Sequence, residues 1–288
     1  MKKLTGLVFL SVVLSNNLSH AISKIPGVIY GKDDRAEVVD TSDTLMIEKA
    51  KSTAGMFLNS NLSLQTNGTY KVTGKTLVQR GWCSSERFSA QLTSPVCTGF
   101  LVAPDILATA GHCVSSNTDC KNYSWAFDYK LNANTDTTTS IPKNSVYKCK
   151  AIISSVNSST SKNDYALLRL DRKVLDRLPL EIRKSGKIAD NANLVLIGHP
   201  KGLPMKIAPG AWVRSNSATN YFVANTDSYA GNSGSPIFDA TTGIVEGILV
   251  RGDADYVTTS SGCYVSNVCS DTGCSGEDAT RTTSLPAF

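Results

Sequence analysis

An all-β antiparallel fold in two halves is the architecture this sequence predicts, and three observations carry it. Nine short apolar or alternating runs, punctuated by Gly, Pro, Asn and Asp, follow one another between residues 69 and 250. No helical period separates them, so the sheets are antiparallel, in a sandwich or barrel, rather than parallel α/β. A break near 171–192 divides a cysteine-rich first half from a second half holding Gly231-Asn232-Ser233-Gly234-Ser235-Pro236, which suits two barrels with a cleft between them.

The elements follow in chain order. Lys2 and Lys3 precede an apolar run from Leu4 to Leu14, with Ser19 and Ala21 spaced as a leader-peptidase site, so residues 1–21 read as a secretory signal peptide. The run is far shorter than the roughly 20 residues a membrane helix needs. The mature chain is therefore expected to be exported, extracellular or periplasmic, without membrane attachment. A short helix is expected at Leu45–Ala54 behind the capping candidates Thr41, Ser42 and Asp43. Strands are expected at 69–78, 97–102, 106–110, 164–170, 193–198, 210–215, 221–225, 235–240 and 243–250. The polar stretch Asn132–Ser140 reads as a surface loop.

Eight cysteines, at 83, 97, 113, 120, 149, 263, 269 and 274, favour disulfides in an exported chain. There is no close CxxC pair, and only His112 and His199 remain once His20 leaves with the leader, so no metal and no other cofactor is expected. The formal charge of +5 falls to +3 without Lys2 and Lys3, and the basic residues are scattered, which argues against a nucleic-acid partner.

Glycines on both sides of Ser233 permit a tight turn that presents the hydroxyl and brings backbone N–H groups close to a substrate oxygen. An ordinary hairpin turn would look the same in isolation. A serine nucleophile also needs a base, and the base needs an acceptor to fix its tautomer. His199 precedes Pro200 and reads as a loop or strand-end residue, leaving His112 in Thr-Ala-Gly-His-Cys as the candidate base. Asp164, at the mouth of the apolar run 164–170, is the candidate orienter; Asp171 sits in a charged run with Arg172 and reads as solvated. No histidine follows Ser233, which excludes an α/β-hydrolase.

The motifs TAGHC, DYALLRL and GNSGSP, in the order His, Asp, Ser and with Cys97 ahead of them, resemble those of the chymotrypsin-like serine proteases. GNSGSP is most similar to the bacterial branch that includes glutamyl endopeptidases. The resemblance implies two six-stranded antiparallel barrels, the first at about 69–175 and the second at about 176–262, with a disulfide-rich tail at 263–288. It implies a Cys97–Cys113 disulfide, a catalytic triad of His112, Asp164 and Ser233, and an oxyanion hole at the N–H groups of Gly231 and Ser233. Asn232 carries no charge, so the animal switch, an ion pair with a new N-terminal amine, is not expected. Val28-Ile29-Tyr30 is similar to the mature start of the glutamyl enzymes, which implies a propeptide over 22–27 and a protease domain over 28–288.

Specificity is less legible. Asp227, Ser228 and Tyr229 are expected to line the pocket. Leu249 stands where glutamyl enzymes carry a histidine, and Arg251 is the nearby cation that could take an acidic side chain. An acidic preference is therefore slightly favoured. One tail cysteine must pair outside the tail, and Cys120 with Cys149 is a suggested bridge. The expectation is a monomeric endopeptidase acting on proteins or peptides; the rivals are a catalytically silent binding module and an esterase or peptidase with non-protein targets.

Overall fold

The computed structural model describes residues 27–288. The expected signal peptide and residues 22–26 of the expected propeptide lie outside the described residues.

The described chain begins with a strand, Gly27–Tyr30, that pairs antiparallel with Ser228–Tyr229 and parallel with Val268–Cys269. Helix α1 spans Thr44–Ala50, capped by Asp43, whose carboxylate accepts the Met46 N–H at 3.1 Å. It stops four residues short of the expected end because Thr53–Leu58 is a strand with its first five residues buried. That strand is β1 of the first barrel.

The first barrel closes in the order β4, β5, β6, β3, β2, β1. Its strands are β1, β2 (Cys97–Ala103), β3 (Ile106–Thr109), β4 (Tyr123–Ala126), β5 (Val146–Asn157) and β6 (Asp164–Leu170). The barrel thus starts at Thr53 rather than near 69. Thr69–Val72 instead joins a separate sheet with Leu62–Leu64 and Ser140–Pro142. The physical reason is visible in its burial, since only Val72 of that strand is buried. Gly74 also breaks the run; a Cβ there would lie 2.0 Å from the Thr93 carbonyl oxygen.

The second barrel is built from β7 (Asn193–Gly198), β8 (Lys206–Ser215), β9 (Tyr221–Ala224), β10 (Pro236–Asp239), β11 (Val245–Arg251) and β12 (Glu277–Arg281). Their order is β7, β10, β11, β12, β9, β8, closed by pairing of β7 with β8, and Ala36–Glu37 adds a short strand to β8. The closing strand β12 falls inside the stretch expected to be a loop tail. It buries Glu277, Thr280 and Arg281, so no apolar alternation marks it.

The barrels share one core. Phe100, Leu107 and Leu167 of the first belong to the same buried cluster as Val195, Ile197, Phe238 and Ile248 of the second. Leu194, Leu196, Phe222, Ile237 and Leu249 form a smaller cluster of the second barrel. Close-packed apolar contact of this extent leaves little play between the halves. The site between them inherits that rigidity.

All eight cysteines are paired. Cys97–Cys113 and Cys120–Cys149 form, as the sequence suggests. Cys269–Cys274 closes a small loop, and Cys263 bonds Cys83 across 180 residues, with Cα atoms 5.1 Å apart.

Candidate active site

Strand β3 ends at Thr109 and delivers His112 through a short 3₁₀ turn, Gly111–Cys113. The turn is locked on both sides. A Cβ on Gly111 would lie 2.0 Å from the Val156 carbonyl oxygen, and Cys113 is bonded to Cys97 on β2. Strand β6 delivers Asp164 at its first residue. The backbone N–H of His112 donates to Asp164 Oδ1 at 3.0 Å, and His112 Nδ1 lies 2.8 Å from Asp164 Oδ2. A carboxylate only accepts, so Nδ1 carries the proton and Nε2 is left as the ring's acceptor. Asp164 is buried and donates its own N–H to Thr280 Oγ1 on β12 at 3.3 Å, which ties it to the second barrel.

Among the described residues, the one grouping with metal-ligand proximity is His112 with Cys97 and Cys113, whose ligand atoms lie within 4.8 Å of one another. Both sulfurs are spent in a disulfide, so neither is available as a thiolate ligand. The other histidine, His199, is fully buried, with Nδ1 3.0 Å from the Leu203 carbonyl oxygen. Burial pushes its pKa down to about 4, so it is neutral and structural. Asp171 accepts the Lys148 N–H at 3.1 Å and lies beside Arg172 on the surface.

Ser233 is carried by a turn that only glycine allows at two positions. Gly231 and Gly234 have φ of 100° and 89°. A Cβ would meet the His199 carbonyl oxygen at 2.5 Å from Gly231 and the Thr98 carbonyl oxygen at 2.0 Å from Gly234. The first barrel grips the turn: Thr98 donates its N–H to the Ser233 carbonyl and its hydroxyl to the Gly231 carbonyl, both at 2.8 Å. Asn232 is buried, and its side-chain oxygen accepts from Ser235 Oγ at 3.4 Å. The N–H groups of Gly231 and Ser233 find no acceptor among the described residues.

The wall residues proved less open than the sequence suggests. Asp227 is buried and accepts the N–H groups of Tyr30 at 2.8 Å and Asp34 at 3.0 Å, so it anchors the N-terminal segment. Burial pushes its pKa up to about 7. Tyr229 lies 4.6 Å beneath the Arg35 guanidinium and donates its hydroxyl to Ser266 Oγ at 2.5 Å. Leu249 packs in the second barrel's cluster. Arg251 lines an open depression of about 340 Å³ with His112, Ser158 and Asp164, but its guanidinium donates to Asp278 at 2.8 Å and to the Lys162 carbonyl at 3.0 Å. It is not a spare cation.

Two acids on this wall escape the sequence reading. Ser228 donates its hydroxyl to Glu277 Oε2 at 2.7 Å, and the Asp253 N–H reaches Oε1 at 3.3 Å. Glu277 is fully buried, and a Cβ on Gly252 would sit 2.0 Å from either of its oxygens, so its carboxyl lies flat on that backbone. Burial, with no ion pair to offset it, pushes its pKa up to about 8. Asp255, also buried, pairs with Lys201 at 2.7 Å, and burial raises its pKa to about 6. Neither acid follows a motif or period, and a polar segment that pairs as a barrel strand leaves no local signal.

Comparison with known proteins places this arrangement. Residues 97–248, more than half of the chain, match the trypsin-like peptidase domain. No curated protein matches. A glutamyl endopeptidase structure aligns over 89% of this chain and 94% of its own at 16% identity and a TM-score of 0.51. The inactive form of Rv3671c from M. tuberculosis aligns over 88% of this chain and 91% of its own at 14% identity and a TM-score of 0.48. The glutamyl endopeptidase likeness speaks to fold alone, and the fold agrees with two antiparallel barrels. On the family match, the chain belongs to the trypsin-like peptidase domain family and is a serine endopeptidase.

Proposed function

We propose that this chain is an exported, monomeric endopeptidase in which Ser233, His112 and Asp164 form the catalytic triad. The observation that carries the reading is the two-point contact of His112 with Asp164 beside the glycine-bounded Ser233 turn, whose Ser233 carbonyl oxygen lies 3.7 Å from Sγ of Cys113, the residue after His112. Ser233 Oγ bonds to the scissile carbonyl carbon while His112 Nε2 takes its proton. The C–N bond then breaks as His112 returns that proton to the leaving amine. Water attacks the acyl-enzyme by the same route, and Asp164 stabilises each imidazolium. The N–H groups of Gly231 and Ser233 face the developing oxyanion, where losing one donor typically costs about 3–4 kcal/mol. Pairing of all eight cysteines supports export to an oxidising compartment.

An acidic residue before the cleaved bond is the preference we propose. Arg251 would have to leave Asp278 to serve it, so the positive charge comes instead from maturation. Cutting after Gly27 would free an ammonium at Val28, which is paired in register with Ser228 on the pocket wall. Glu277, uncharged below about pH 8, would not repel the substrate acid. Fluorophosphonate labelling of the wild type beside Ser233→Ala and His112→Ala tests the triad; a folded, Val28-trimmed wild type that takes no label overturns it. Profiling peptides with Glu or Lys at that position tests the preference. Glu should be favoured at pH 7 and lose ground above pH 8 as Glu277 ionises, and a Lys preference at pH 7 would refute it.

A further inference from the structure

The turn that carries Ser233 is gripped from the second barrel as well as the first. The Ala230 carbonyl accepts the Lys201 N–H at 2.6 Å, and the Ala230 N–H donates to the Asp255 carboxylate, 3.3 and 3.2 Å from its two oxygens. Lys201 and Asp255 are joined in turn through Nζ at 2.7 Å. Lys201 thus reaches Ala230 twice, once through its own backbone and once through Asp255. Its backbone is left-handed, with φ 55° and ψ 19°, a conformation that non-glycine residues adopt at a cost and hold only where surrounding contacts impose it. Those contacts are visible. The ammonium lies 5.1 Å from the Tyr256 ring and 6.0 Å from the Trp82 ring, next to the Cys83–Cys263 bridge.

The peptide plane makes this grip matter for chemistry. A trans peptide points its C=O and N–H in opposite directions, so fixing the Ala230 oxygen fixes where the Gly231 N–H points. Glycine at 231 offers little steric resistance to a flip, and a flipped plane would aim a carbonyl at the developing oxyanion in place of a donor. We propose that Lys201 and Asp255 are a positioning pair: Asp255 holds the Tyr229–Ala230 peptide through the Ala230 N–H and anchors Lys201 through its ammonium, and the Lys201 backbone N–H holds the Ala230–Gly231 peptide so that the Gly231 N–H serves the oxyanion. The inference rests on the proposed Ser233 chemistry. The neighbouring Asn232–Ser233 peptide is held by a local bond, Ser235 N–H to the Asn232 carbonyl at 2.8 Å, and needs no such pair.

The test compares wild type with Asp255→Ala, Asp255→Asn and Lys201→Gly, the last keeping the backbone N–H and removing the ammonium. Each is measured for kcat and KM on one peptide substrate, for inhibition by a peptide aldehyde, whose hemiacetal oxygen needs the N–H donors, and for inhibition by the matching peptide alcohol, which does not. In Asp255→Ala, kcat should fall by roughly 10- to 100-fold with KM within about threefold, and aldehyde affinity should fall by the same factor while alcohol affinity holds. Asp255→Asn, which still accepts the Ala230 N–H, should recover part of the loss. Should Asp255→Ala fail to fold, Lys201→Gly gives the same readout. Equal losses for aldehyde and alcohol, or an unchanged kcat, would overturn the pair's role. Failure of the triad reading looks different: the wild type itself would neither turn over peptides nor take a fluorophosphonate.

Discussion

The two walls of the cleft hold their carboxylates in opposite ways. On the first barrel, both oxygens of Asp164 are taken by one histidine, through its backbone and its ring. On the second, Asp227, Asp255 and Glu277 receive donors from separate segments, the Lys201 ammonium among them, and burial still raises their pKa values to about 7, 6 and 8. Where desolvation outweighs the donors and cations that a buried acid meets, the acid holds its proton to higher pH. The acid of one wall meets a single histidine at both oxygens, while those of the other hold backbone and titrate near neutrality.

The sharpest way to break this contrast is Asp164→Asn. An amide can turn an N–H toward Nδ1 and impose the wrong tautomer, so kcat for peptide hydrolysis should drop by roughly 10⁴-fold with the fold intact. A drop under tenfold would mean Asp164 does not aim His112. Gly231→Ala comes next. The new methyl group would press on the His199 carbonyl at a φ of 100°, so kcat should fall by roughly 10²- to 10³-fold, accompanied by a lower Tm.

The second wall makes a prediction of opposite sign to ordinary acid denaturation. Between the usual carboxylate pKa of about 4 and the folded values of about 6 to 8, the folded chain keeps protons that the unfolded chain has lost. This contribution to stability is therefore complete at low pH and is lost as pH rises through that window. Glu277→Gln should raise Tm at pH 8 by on the order of 5 °C and change it little at pH 5. Equal shifts at both pH values would show that Glu277 does not titrate there. The smallest effect is expected from removing Cys269–Cys274, which closes only five residues: about 2 kcal/mol of stability at most, with kcat unchanged.

Residues held in local motifs could be read from sequence and the buried acids Asp255 and Glu277 could not, for a physical reason. His112 and Ser233 sit in short segments whose glycines and cysteine are demanded locally, and the chain has so few histidines that the candidate base follows by elimination. The strands were legible where one face is apolar, as in β6 and β11, and invisible where it is not. Strand β5 exposes much of its length, and β12 buries a glutamate, a threonine and an arginine. Glu277 meets Ser228 and Asp255 meets Ala230 only because barrel closure brings separate segments together. No period or motif encodes those meetings. Arg251 fails as a free cation for the same reason, since Asp278 reaches it from that unseen strand.

The place of β12 in chain order has a temporal consequence. Of the twelve barrel strands it is the last to be synthesised, yet it supplies Glu277 to Ser228, Thr280 to Asp164 and the pairings that join β9 to β11 in the second barrel. A nascent chain that has emerged only as far as residue 270 already carries His112, Asp164 and Ser233 but has no closed second barrel to hold them in register. Until β12 pairs with β9 and β11, the three side chains lack the frame that holds them in register, so their order in space is completed from the C-terminal side of the fold.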